Sequence, residues 1–119
     1  MAENITVDPK DAQDNKIMAI LAYLGILVLI PILAAKESPF ARYHANQGLI
    51  LFIASIAVYI VYYILALVLA FSGLGWLLYI LYLVVAIGIF VFVILGIVNA
   101  VKGECKPLPL IGNLFTIIK

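Results

Sequence analysis

Charge is scarcest in the two longest stretches of this chain. No Asp, Glu, Lys or Arg occurs from Ile17 to Ala35, and none from Ala45 to Val101. Ion-driven pumps and carriers keep an ionisable group inside the membrane to carry the coupling charge, and these stretches offer none. There is one cysteine, Cys105, so no disulfide can close within the chain. There is one histidine, His44, and no HExxH or Cys/His spacing of a metal site. A glycine-rich phosphate loop is missing, and a Ser-His-acid triad is hard to assemble from one buried serine and one interfacial histidine. The expectation is therefore no enzyme, no cofactor and no metal. A net charge of +1 gives no basis for binding nucleic acid. The polar, partly acidic start MAENITVDPKDAQDNK lacks the basic opening and immediate apolar run of a cleavable signal.

What is present is apolar side chain. The 119 residues are 67% hydrophobic and 11% charged, against about half and about a quarter in soluble domains. A run of about 20 apolar residues crosses the roughly 30 Å hydrocarbon core as a helix. The composition thus predicts an all-α integral membrane protein. Three transmembrane helices are expected, at about 17–35, 39–71 and 76–101, after a polar tail over 1–16. Residues 17–119 would form one helical membrane domain. Lys16 and Lys36 bracket the first span, and Pro31 predicts a kink in it. Ser38-Pro39 is a helix start, with Ser38 as cap and Pro39 as first helical residue. Gly48 marks a bend in the second helix. SGLG at 72–75 is a tight turn that makes the second and third helices an antiparallel hairpin. Trp76 and Tyr79 anchor the third at the interface. Gly103 stops it, Pro107 and Pro109 forbid its continuation, and Leu110 to Ile118 is an interfacial segment or one folded back on the bundle.

Three spans put the termini on opposite sides. Lys10 and Lys16 then face Lys36, Arg42, Lys102, Lys106 and Lys119 across the membrane. The excess of basic residues predicts N-terminus outside and C-terminus cytoplasmic, in a prokaryotic cell membrane. On that reading residues 36–48 and 102–113 meet on the cytoplasmic face. Their lysines and Arg42 would touch anionic lipid headgroups.

At 100° per residue His44, Gly48, Ser55, Tyr59 and Tyr62 form a narrow polar stripe on the second helix, with Gln47 at its border. Arg42 and Asn46 point the other way. Two readings stand side by side. Polar and small residues in a membrane helix turn inward to pack against neighbours; alternatively, the stripe lines a cleft or pore. In the third helix Gly88 and Asn99 share a face, and Gly88 and Gly96 would let a neighbour approach. Asn99 lies one turn before Lys102, within reach of the histidine loop. Cys105 reads as an inert thiol, with juxtamembrane lipidation as the alternative.

The segments SPFARYHANQGLILF and LGIVNAVKGECKPLPLIGNLF, separated by one helical hairpin, resemble a family of small prokaryotic membrane proteins. That family is similar to the twenty-kilodalton component of the chloroplast inner-envelope translocon (Tic-like). Members show a His-x-x-Gln-Gly-like step into a span, here His44, Gln47 and Gly48, and a closing Lys-Pro-Leu-Pro-like turn, here Lys106, Pro107, Leu108 and Pro109. The likeness covers about residues 17–115. It implies three or four membrane helices and no known catalytic activity. A branch similar around the His-x-x-Gln-Gly step resides in magnetosome membranes and influences magnetite crystal growth. This chain shows no acidic iron-binding loop.

Together these readings predict a non-enzymatic multi-pass scaffold or accessory subunit of a membrane assembly. Its partners would be membrane lipids and either further copies of itself or another membrane protein. Its docking face would involve Arg42, His44, Gln47, Gly48, Asn99, Lys106, Pro107 and Pro109. A homo-oligomeric pore or carrier lined by Ser55, Tyr59 and Tyr62 is the alternative, and a magnetosome-type protein acting on crystal growth is a further one.

Overall fold

The computed structural model describes residues 6–114 and 116 and is helical throughout its long elements. The expectations for residues 1–5, for Lys119 and for the last apolar residues lie outside that range. Helix α1 runs Pro9–Asp14, α2 Lys16–Leu21, α3 Leu29–Ala34, α4 Pro39–Leu69 and α5 Trp76–Val101. A 3-10 turn, Gly25–Val28, joins α2 to α3. Two helices, α4 and α5, are long and apolar enough to cross a membrane.

Helix α4 begins where Ser38-Pro39 predicts. Ser38 Oγ accepts from the Ala41 amide at 3.0 Å. The Asp11 carboxylate adds to the cap, accepting from Ser38 Oγ at 2.5 Å and from the Phe40 amide at 3.1 Å. A negative group at this end also complements the helix dipole. The helix spans 31 residues, about 46 Å at 1.5 Å per residue. Gly48 does not interrupt it. A tight turn around Gly73, at φ +78°, returns the chain into α5. Tyr62 Oη donates to the Leu78 carbonyl at 3.1 Å and ties the two helices together.

The expected first span is not one helix. The chain leaves α2 after Leu21, and Gly25 takes φ +65°, a left-handed conformation open to glycine but costly for other residues. The break falls there and not at Pro31, which sits buried at the third position of α3, where a helix amide has no internal partner to lose. The two halves, six residues each, fold against each other and against α4. Residues 16–35 thus enter and return at the same end of the α4/α5 pair.

Helix α1 and the loop after α5 consequently share that end, contrary to the opposite sides that three spans imply. Helix α1 packs there and lays Ala12 into a small core with Ala19, Phe40, Tyr43, Ala100 and Cys105. A second core holds Ala22, Tyr23, Val28, Leu51 and Leu108, with Ile32, Phe92 and Ile111 against it. The buried residues of α4 all lie between Phe40 and Leu51, and those of α5 are Gly96 and Ala100. Toward the turn at 72–75, α4 and α5 have only each other.

Candidate functional site

Three segments converge on the first three turns of α4. They are the 16–35 hairpin, the end of α5 and the loop that follows it. His44 stands between the first and the last. Its Nδ1 lies 2.6 Å from Tyr23 Oη, and its Nε2 lies 2.8 Å from the Glu104 carbonyl. A carbonyl only accepts, so Nε2 carries the ring proton and Nδ1 accepts from the tyrosine. The rings of Tyr23, Phe40 and Tyr43 meet the imidazole edge-on, with centroids 4.7 to 5.7 Å away.

One turn on, Gln47 holds the closing loop. Its Oε1 accepts from the Leu108 amide at 2.8 Å, and its Nε2 donates to the Gly112 carbonyl at 3.0 Å. The Gly112 amide donates to the Leu108 carbonyl at 2.9 Å, so the loop is closed on itself as well. A Cβ on Gly112 would strike Gln47 Oε1 and the Leu108 backbone. Gly48 completes the set. A Cβ there would strike the Ala22 carbonyl, and one on Gly96 would strike the Tyr23 ring. The glycines let two backbones and a ring come within contact of the long helices.

His44 and Gln47 are both 0% exposed. With Gly48 they form an internal staple and not an exposed docking collar, which corrects the expectation for these three. Asn46, expected to point away, is buried too. Arg42 is partly exposed and donates from a guanidinium nitrogen to the Lys36 carbonyl at 3.0 Å. Lys106 and Pro109 are exposed, Pro107 is half-buried, and Lys106 pairs with Glu104 at 2.6 Å. The Asn99 carbonyl accepts from the Glu104 amide at 2.9 Å. Cys105 is buried, and burial, with Asp11 beside it, pushes its thiol up to about 11. That favours the inert reading over lipidation.

The lower part of the stripe diverges. Ser55 and Tyr59 border a cavity of about 270 Å³ with Tyr23, Gly25 and Gly48. Ser55 Oγ donates back to the Leu51 carbonyl at 2.7 Å. Tyr62 turns to α5 instead, stacking edge-on with Tyr82. Gly88, unlike Gly96, faces open space. Among the described residues no group of three or more His, Cys, Asp or Glu side chains is placed to hold a metal.

Sequence reasoning missed Tyr23, Asp11 and Ala22. Tyr23 carried a signal, as the one aromatic between Ile17 and Ala35, two residues before a glycine. Asp11 and the Ala22 backbone carried none.

Residues 14–115 match the profile of the magnetosome magnetite crystal formation protein family. The magnetosome protein MamF of Magnetospirillum gryphiswaldense is 30% identical over 99% of this chain and 100% of its own length. The magnetosome protein MmsF of Paramagnetospirillum magneticum is 29% identical over 81% and 80%. A UPF0132 membrane protein of Methanocaldococcus jannaschii is 36% identical over 85% and 84%. No solved structure matches the chain. These relatives support the magnetosome branch of the resemblance drawn from the two motifs, and do not support the plastid translocon.

Proposed function

Because the chain belongs to the MamF/MmsF family of magnetosome magnetite crystal formation proteins, we propose that it is a non-enzymatic integral protein of a mineral-forming membrane, where it influences crystal growth. The observation that carries this reading is the family match over residues 14–115, which takes in both the buried His44-Gln47-Gly48 staple and the loop it holds. The geometry supports a structural mode of action. The residues shared with the motif hold the protein's own segments together at one end of two long apolar helices.

The proposal includes an orientation. Lys10, Lys16, Lys36, Arg42, Lys102 and Lys106 all belong to the end that α1 shares with the loop after α5, and residues 43–101 contain no Lys or Arg. Basic residues stay on the cytoplasmic side. The charged end therefore faces the cytoplasm, and the 72–75 turn faces the other side.

The test is complementation. This chain is expressed in a magnetosome-forming bacterium deleted for its MamF/MmsF proteins, and crystals are sized by electron microscopy. Crystals restored toward the parental size are expected. Crystals unchanged from the deletion strain, with the protein present in the magnetosome membrane, overturn the reading.

The archaeal relative favours a second reading, since its name records a membrane protein and no magnetosome. On this reading the chain is a membrane protein whose role does not involve mineral. The same experiment separates the two, because failed complementation by a correctly inserted protein supports the second.

A further inference from the structure

The two ends of the molecule differ in girth. At the charged end the helix pair is flanked on one side by α2 and α3. On another side the 104–114 loop lies against it. Ile111 packs against the core that holds Leu51 and borders a cavity with Ala54 and Val58 on α4 and Phe92 on α5. The loop is therefore level with the apolar part of the helices. The hairpin descends to the cavity that Gly25 shares with Ser55 and Tyr59. Below that depth, from Ile60 to Leu69 and from Trp76 to Val85, no residue of α4 or α5 is buried.

The added segments carry their own exposed apolar surface. Ile26 and Leu33 of the hairpin are 60% and 68% exposed, and Leu110 and Leu114 of the loop 90% and 61%. Leu110 holds φ +69°, a strained conformation for a leucine, in a loop pinned by Gln47 and closed by Gly112. Its side chain is thereby held outward, where water would penalise it and a bilayer would not.

From this we infer that the protein is a membrane wedge and that its lipid partner is a curved bilayer, with the leaflet at the charged end on the convex side. A helix is about 10 Å across, so two extra helices add on the order of 150 Å² to one leaflet and nothing to the other. A leaflet widened in this way relaxes by bending outward, which is the physical basis of curvature-sensitive insertion. With the charged end in the cytoplasm, the favoured shape is a vesicle or invagination whose outer surface faces the cytoplasm. The inference needs the helices to span a membrane, but it does not need crystal formation.

The test uses the full chain in giant vesicles of phosphatidylcholine and phosphatidylglycerol, from which membrane nanotubes are pulled outward. Exposed Asn113 is replaced by cysteine (N113C) and labelled with a fluorophore. A membrane-impermeant quencher then separates molecules with the charged end outside from those with it inside. The expected result is a tube-to-vesicle ratio, normalised to a lipid dye, above unity for the outward population and below unity for the inward one. Equal ratios in both orientations, or the reverse order, overturn the inference. Sorting that persists when complementation fails leaves the wedge standing and removes only the role in mineral growth.

Discussion

At the scale of single residues, His44 and Gln47 act by satisfying backbone and hydroxyl groups of the segments packed on α4. His44→Ala would orphan the Tyr23 hydroxyl and the Glu104 carbonyl, each costing about 1–3 kcal/mol when buried. A drop in stability of about 2–6 kcal/mol is expected in a detergent unfolding experiment. A Tyr23→Phe, His44→Ala double variant distinguishes this from simple loss of packing. If the hydrogen bond is real, the double variant loses less than the sum of the singles. Strict additivity would mean that the two side chains do not interact. The family resemblance grouped His44, Gln47 and Gly48 as one spaced step. It did not show that the step faces inward. On a lone helix a polar face at a membrane boundary looks the same whether water or another segment of the chain completes it.

At the scale of elements, the start of α4, the turn at 72–75 and the extent of α5 were all legible. Ser38-Pro39 and the Gly73 turn are local signals whose cause lies within a few residues. The first apolar stretch was not legible, because its length fits a single span and its composition fits a broken one equally well. The decision rests on Gly25 and on what receives the hairpin, namely the bare backbone at Gly48 and Gly96. Those two partners lie far along the chain and leave no trace in the hairpin's own residues. Gly48→Ala should therefore push against the Ala22 carbonyl and loosen residues 16–35, whereas Gly88→Ala enters open space. Hydrogen exchange in detergent micelles would read this as faster exchange over 16–35 for the first variant and none for the second, with α4 and α5 protected in both. Equal exchange in the two variants would remove the close contact from the account of the hairpin.

At the scale of the whole molecule, the fold-back of residues 16–35 bears directly on the topology proposed above. Counting spans along the sequence divides the basic residues between two sides and leaves the balance modest. Folding residues 16–35 back to their starting side collects Lys10 and Lys16 with Lys36, Arg42, Lys102 and Lys106, against none at the 72–75 turn. The charge asymmetry becomes complete, and the positive-inside bias then acts on one end only. Contacts across that end agree with this arrangement. Asp11 bonds Ser38 and the Phe40 amide, and Ala12 lies beside Gly103, which a chain with termini on opposite faces could not achieve. Single cysteines at the exposed positions Gln13, Ser72 and Asn113 test it in intact cells with a membrane-impermeant maleimide. Cys105 contributes little background at neutral pH, because its thiol is buried and its ionisation is pushed up to about 11. The expected pattern is labelling at Ser72 alone, with Gln13 and Asn113 reacting together only after the membrane is opened. Labelling of Gln13 with Ser72 while Asn113 stays protected would restore three spans. The hairpin would then have to cross the membrane, and the unequal girth of the two leaflets would disappear with it.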